Sequence, residues 1–293
     1  MRHTQGRLEP TPNEHKRWGK HYMSTLAALE RLQAPCATER GAARESYRDE
    51  QSKKPGRGEF GRAWYGNASR DETLVLAKTG IDPKVTTFAV NDARVGHGHR
   101  ATNVHDVVGG SLDVGVLMAG APEHFVRRTK RPSPLMVSIL VSCSCNCNIP
   151  GPTLRERGLR LLTAIRSIEE AGARVQLDVS FCSAGYNGTY CWEVIRVKDF
   201  GGFADPQEVA FWIGHPGAYR HLGFGLWSRD ILEEFDEVYL HGLGHAQDPP
   251  TEQLAAWDLY LPTLRHAGEL ETAETLAEEA LAAARDRAVQ VQA

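Results

Sequence analysis

No apolar run in this sequence approaches the roughly 18 residues that a membrane-spanning helix needs, so no membrane partner is expected. The N-terminus, MRHTQGRLEPTPNEHKRWGK, carries charge with no apolar segment behind it, which argues against a signal peptide. Internal repeats are lacking. Gly109-Gly110 has no phosphate-loop pattern around it, and no histidine pair has the His-Glu-x-x-His spacing of a helical zinc site. Cysteine is sparse: Cys36, Cys143, Cys145, Cys147, Cys182 and Cys191, five of them in or beside strands of one central unit. Alternating cysteines on an extended backbone point the same way and do not readily bridge one another. Free thiols in a reducing cytoplasm are therefore expected.

What is present is an ordinary soluble composition, 293 residues with 41% apolar and 24% charged, enough for one substantial core or two small ones. The net charge of -3 is unevenly spread. Residues 1–70 carry roughly six more Lys and Arg than Asp and Glu, and residues 231–293 roughly ten more acidic than basic groups. A basic arm of this kind could touch nucleic acid or an acidic partner, although a solvated, solubilising tail is the simpler reading.

Residues 1–62 are polar and rich in Arg, Gly and Pro, and read as a flexible basic arm. Within them Tyr22, Leu26, Leu29 and Leu32 recur at helical spacing and predict an amphipathic helix over His21–Gln33. Residues 63–130 read as a small α+β unit. Ser69, Glu72 and Gly80 are the cap, capping-box and stop signals of a helix over Arg70–Thr79. Two strands are expected next, Val85–Val90 and Ser111–Ala119, the second burying Leu112, Val114, Val116 and Met118 on one face. RRTKRPSP (127–134) reads as a basic linker whose prolines end regular structure.

Residues 131–268 form the organising unit. Met136–Ser142 is nearly all apolar, as in a strand covered on both faces. A helix over Thr153–Ala171 places Leu154, Leu161, Ile165 and Ile168 on one stripe, and Gly172 stops it. Val175–Phe181 is a second buried strand, parallel to the first by the right-handed crossover rule. Asn187-Gly188 then predicts a hairpin into an antiparallel strand, Cys191–Val197, at the sheet edge. A helix over Pro206–Ile213, an irregular aromatic segment HPGAYRHLGFGLW, a strand at Glu237–Leu243 and a helix over Thr251–Leu264 follow. Residues 269–293 read as an acidic C-terminal helix. The expected fold class is α/β, a doubly wound, mostly parallel sheet with one antiparallel edge strand, plus an N-terminal α+β extension.

This order of elements over Met136–Ala267 resembles that of a von Willebrand factor A-type domain. The resemblance implies a metal-ion-dependent adhesion site after the first strand, where the family places Asp-x-Ser-x-Ser around Mg²⁺. The stretch here is Ser142-Cys143-Ser144-Cys145-Asn146: Ser144 matches the first serine, while Ser142 stands in place of the aspartate and Asn146 in place of the second serine. Hydroxyls and an amide without a carboxylate compensate a divalent charge poorly, so Ser142, Ser144 and Asn146 read as a degenerate site. The chain is also similar to a group of phage and bacterial proteins with a Trp-x-Gly-x-x-Ser segment (Trp64, Gly66, Ser69) and a Leu-Asp-Val strand followed by Gly-x-Pro-Glu (Leu112 to Val114, Gly120 to Glu123). That resemblance implies no activity.

Three histidine groupings present metal-ligand chemistry: His97 and His99 with His105 and Asp106; His215 with His221; and His241 with His245. The last pair, followed by Asp248, falls at a predicted strand C-terminus, where open α/β sheets bind ligands. Cys143, Cys145 and Cys147 match zinc-ribbon spacing only weakly and read as buried thiols, with a nucleophilic Cys145 activated by His245 as the sharper alternative. Asp113 and Asp178 read as hydrogen-bonded polar residues at strand edges, and Trp64, Trp192, Trp212 and Trp227 as core packing. The leading expectation is a non-enzymatic, von Willebrand A-like protein-binding or assembly protein of phage or mobile-element type, with no cofactor. Two alternatives stand beside it. One is a metal-dependent hydrolase using His241, His245 and Asp248 with a third group, zinc being the metal that would mark it, while Mg²⁺ is the ion to test at the serine site. The other is a nucleic-acid-binding accessory protein acting through residues 1–62 and Arg127 to Arg131.

Overall fold

The apolar run at the centre of the chain forms β5 (Met136–Ser142), with Val137, Ile139 and Val141 on one face and Leu140 on the other, none more than 1% exposed. The computed structural model that shows this describes residues 18–36, 39–54, 61–83, 96–108, 111–184, 190–202, 204–230 and 245–292. Each of those aliphatic side chains contributes roughly 1.5–3 kcal/mol by leaving water. Helix α5 (Gly151–Glu170) follows, and its predicted stripe of Leu154, Leu161, Ile165 and Ile168 is buried on the sheet. Gly172, at φ 96°, turns the chain into β6 (Arg174–Ala184), which runs parallel to β5 as the crossover rule requires.

β7 (Tyr190–Lys198) pairs antiparallel with β6, as the hairpin signal predicts, although the Asn187-Gly188 turn lies outside the described residues. The strand does not end the sheet. β1 (Trp18–Ser24) adds to it in parallel, Trp18 opposite Tyr190 and Ser24 opposite Arg196, so part of the segment expected as a basic arm supplies the edge strand. Only Thr25–Gln33 of the expected helix is helical (α1), starting where Ser24 accepts a hydrogen bond from the backbone of Ala27. A second helix, α2 (Glu39–Lys53), follows it and packs against the C-terminal part of the aromatic segment. The sheet order is β1-β7-β6-β5-β9, with β9 (Leu259–Leu261) parallel to β5 and the short β8 (His245–Ala246) pairing with the end of β6. The fold is thus mixed α/β, with a mostly parallel sheet carrying one antiparallel hairpin.

α3 (Arg70–Thr79) has the predicted capping box: Ser69 and Glu72 satisfy each other's backbone N–H groups. Other local expectations give way. Within Ser111–Ala119 only Ser111–Leu112 is a strand (β3), because Asp113 caps a helical turn, α4 (Val114–Met118), by accepting from Val116 N at 3.2 Å. Leu112, Val114 and Met118 are consequently exposed rather than buried. RRTKRPSP is not a linker but most of β4 (Phe125–Pro134), paired antiparallel with β2 (Gly96–Asp106) in a second, three-stranded sheet of order β2-β4-β3. Its register skips Gly98 opposite the prolines, a bulge where the ladder has no proline N–H to use. The expected strands at Val85–Val90 and Glu237–Leu243 lie outside the described residues.

Helix α6 (Pro206–Gly214) crosses α5 where two glycines meet: a Cβ on Gly158 would sit 2.6 Å from the Cα of Gly214. The aromatic segment beyond it, expected to be irregular, is a π-helical turn at Ala218–Gly223 running into α7 (Phe224–Asp230). Tyr219, Leu222, Phe224 and Trp227 fill the core beneath it. The predicted helix over Thr251–Leu264 shrinks to a 3-10 turn, Thr251–Gln253. Asp258 then accepts hydrogen bonds from the N–H and hydroxyl of Ser138, both at 2.7 Å, and draws the chain into β9 beside β5. The last helix, α8 (Ala273–Gln292), packs on α5.

The sheet face opposite α5 is organised by Asp178 on β6. Its fully buried carboxylate accepts from Tyr22 Oη of β1 (2.8 Å), from Arg196 of β7, from Gln176 Nε2 (3.2 Å) and from Trp257 Nε1 (2.7 Å). Around it Leu140, Cys182, Trp192 and Val194 pack with Leu254 and Tyr260. Asp178 thus lies in the interior of the sheet, hydrogen-bonded as expected but away from any edge.

Removing one partner of a buried ion pair leaves the other uncompensated, so Asp178→Ala is expected to cost about 3–5 kcal/mol in urea unfolding. Asp178→Asn, which keeps an acceptor, should cost less. Equal stability of the Ala variant and the natural protein would refute this role.

Candidate functional site at the C-terminal edge of the parallel strands

The parallel strands β5 and β9 end side by side, and the loops leaving them are tied together by side chains. Cys145 bridges to Leu264 through the backbone, and the Asn146 amide donates to the carbonyl of Arg265 at 3.1 Å. Ser142 is completely buried, with its hydroxyl 3.0 Å from that of Thr263. Because Thr263 Oγ1 donates to Gln247 O (3.0 Å), the proton between the two hydroxyls comes from Ser142. Ser144, also fully buried, accepts from Cys182 N and donates to Cys182 O, both at 2.8 Å. The three residues at the adhesion-site positions therefore use their polar groups to bind protein to protein.

Asp248 reaches the same edge. Its carboxylate accepts from Tyr260 Oη (2.7 Å), Thr263 N (2.6 Å) and Arg265 Nη2 (3.1 Å). Burial together with this carboxylate drives the Tyr260 hydroxyl far above its ordinary pKa. Beside Asp248 opens a cleft of about 650 Å³, lined among others by Arg157, Arg160, Thr263, Arg265 and Glu269. Arg157 donates to the carbonyls of Ser142 (2.8 Å) and Pro262 (2.5 Å), locking the two strand ends into one wall. Arg160 holds the opposite side through the carbonyls of Leu270 and Glu271, each at 3.2 Å. Glu269 accepts from the backbone N–H groups of Arg265 and His266, and those bonds pull its pKa down. The cleft thus interleaves guanidinium and carboxylate groups.

The thiols nearby are not poised for attack. Burial raises Cys143 to about 12 and moves Cys145 and Cys182 in the same direction, suppressing the thiolate that nucleophilic chemistry needs. Cys145 lies 3.6 Å from Arg220, which is fully buried on the π-helical turn. The Arg220 guanidinium donates to Ile149 O (2.9 Å) and Trp64 O (2.6 Å) and stacks 4.3 Å from the Trp64 ring, joining the β5 loop to the Trp64 segment. Arg157, Thr263, Arg265 and Arg220 carried no sequence signal, because their partners are backbone carbonyls or side chains distant in the chain.

His241 lies outside the described residues. His245 stands in β8 opposite Ala184 of β6. His97 and His99 take register positions in β2, whereas His105 pairs with Asp113 at 2.9 Å and Asp106 bonds the backbone of Val107. His215 and His221 are core residues: the first stacks on Phe211 and accepts from Gly217 N (3.1 Å), and the second stacks on Tyr65 with Nε2 3.1 Å from Ala68 O. Among the described residues no group of three His, Cys, Asp or Glu side chains is placed to hold an ion, and no helix is long and apolar enough to cross a membrane.

Burial lowers both His215 and His221 to about 4. An unfolded histidine titrates near 6.5, so the unfolded chain binds more protons between those values. Stability is fully present above about pH 6.5 and falls as pH drops toward 4, by up to about 3 kcal/mol per histidine. His221→Gln keeps a donor for Ala68 O and removes one titration, so it should flatten the dependence of urea unfolding between pH 7 and 5. Identical slopes for the two proteins would contradict the assignment.

Searches of curated proteins and of solved structures found no match to the chain. A family profile does match, over residues 9–284, a span that includes the sheet and the residues of the cleft. The chain belongs to the family described as Domain of unknown function (DUF7192).

Proposed function

We propose that this chain is a non-enzymatic, von Willebrand A-like binding protein that seats a protein partner in the cleft at the C-terminal ends of β5 and β9. The observation that carries this reading is the complete hydrogen bonding of the polar groups at that edge. The Ser142, Ser144 and Thr263 hydroxyls and the Asp248 carboxylate are all committed to protein partners. A surface built in this way recognises shape and charge, and among its described residues there is no activated nucleophile or base. The strand order β7-β6-β5-β9, with β7 antiparallel to β6, supports the von Willebrand A-like reading. Reduced thiols at Cys143, Cys145 and Cys182 fit action in a cytoplasm. The hydrolase alternative loses support because its Asp248 is already held by three donors.

Gly268 offers a selective test, since a Cβ there meets nothing within 4 Å and the residue lines the cleft. Gly268→Trp should fill the cleft, change stability by no more than about 0.5 kcal/mol, and abolish recovery of the partner that the natural protein captures from host lysate. Titration with Mg²⁺ should give no saturable heat. Partner recovery unaffected by the substitution, or Mg²⁺ binding that disappears in Ser144→Ala, would overturn the reading.

A further inference from the structure

The β2–β4 ribbon concentrates positive charge more than any other regular pairing described here. It carries Arg100, Arg127, Arg128, Lys130 and Arg131 against Asp106 alone. Register places Arg100 directly opposite Arg131, Ala101 opposite Lys130, Asn103 opposite Arg128 and Val104 opposite Arg127. Along β4, cationic residues occupy four of the five positions from Arg127 to Arg131. The like charges of Arg100 and Arg131 at directly opposed positions weaken the pairing, so its stability and its composition pull against each other. Just beyond the ribbon, Val108 is 72% and Met118 81% exposed.

We propose that the β2–β4 ribbon is an arm that binds duplex DNA, lying in the major groove with its cations on the flanking phosphates. A polyanion removes the like-charge conflict, and the major groove of B-DNA admits a two-stranded antiparallel ribbon. The length also fits: the paired stretch, at about 3.4 Å per residue, extends close to the roughly 34 Å of one duplex turn. This arm is distinct from residues 1–17, where composition alone also places basic groups, and it is independent of the cleft and its protein partner.

Fluorescence anisotropy of the full chain on a 24-base-pair duplex of arbitrary sequence tests the proposal. If all five cations contact phosphate, the slope of log affinity against log salt is about -4.5, a weakening of several hundred-fold between 50 and 200 mM NaCl. R127Q/R128Q/K130Q/R131Q should bring the slope to about -1, and R100Q alone should reduce its magnitude by about 1 without lowering the melting temperature. R2Q/R7Q/K16Q/R17Q should leave the slope unchanged. Near-UV circular dichroism confirms that each variant is folded. The proposal fails if the folded quadruple ribbon variant keeps the natural slope, if R2Q/R7Q/K16Q/R17Q alone abolishes binding, or if the chain binds phosphatidylserine vesicles and not DNA.

Discussion

The buried carboxylate of Asp178 is the constraint on which the sheet depends. A charge inside a protein is tolerated only with a counter-charge and satisfied hydrogen bonds, and here Gln176 on the same strand is joined by donors from far apart in the sequence: Tyr22, Arg196 and Trp257. Meeting that need places β1 beside β7 and brings the segment before β9 down over the second face of the sheet. The geometry that follows, β5 and β9 ending together, is what creates the cleft at their C-terminal edge.

At that edge the polar groups are turned inward, onto the protein itself. Open α/β sheets leave a crevice beyond the carboxyl ends of their strands. In this chain the hydroxyls at the crevice are paired with each other or with backbone, the nearby thiols are held protonated by burial, and guanidinium groups staple the strand ends. Rigidity of this kind suits a surface that must keep its shape for a partner. The β2–β4 pairing contrasts with it: five cationic residues and one acidic residue lie along two antiparallel strands.

Signals carried by a few neighbouring residues were legible. Ser69 and Glu72 cap α3, the apolar run of β5 is buried, the stripe of α5 packs where its spacing says, and Gly172 stops that helix. Legibility failed where a local preference met a stronger local or distant demand. The alternation in Ser111–Ala119 suggests a strand, but Asp113 is a better N-cap than a strand residue. Residues 251–264 have helical composition, but Asp258 bonds Ser138 on β5 and extends the chain. The prolines of RRTKRPSP suggest a linker, yet a bulge opposite them lets the ladder continue. HPGAYRHLGFGLW reads as irregular because its glycines mark close packing rather than turns.

By itself, then, the sequence determined the α/β class, the parallel β5–α5–β6 unit and the antiparallel pairing of β7. These follow from residue type and short spacings, which act before the chain is folded. Only the tertiary structure decided that a strand from the N-terminal segment completes the sheet, that Asp178 sits at its centre, and that Arg157, Thr263, Arg265 and Asp248 meet around one cleft. The physical reason is common to all three: each depends on pairing a charge or a carbonyl with a donor more than ten residues away in the chain, and no local pattern encodes which partner will arrive.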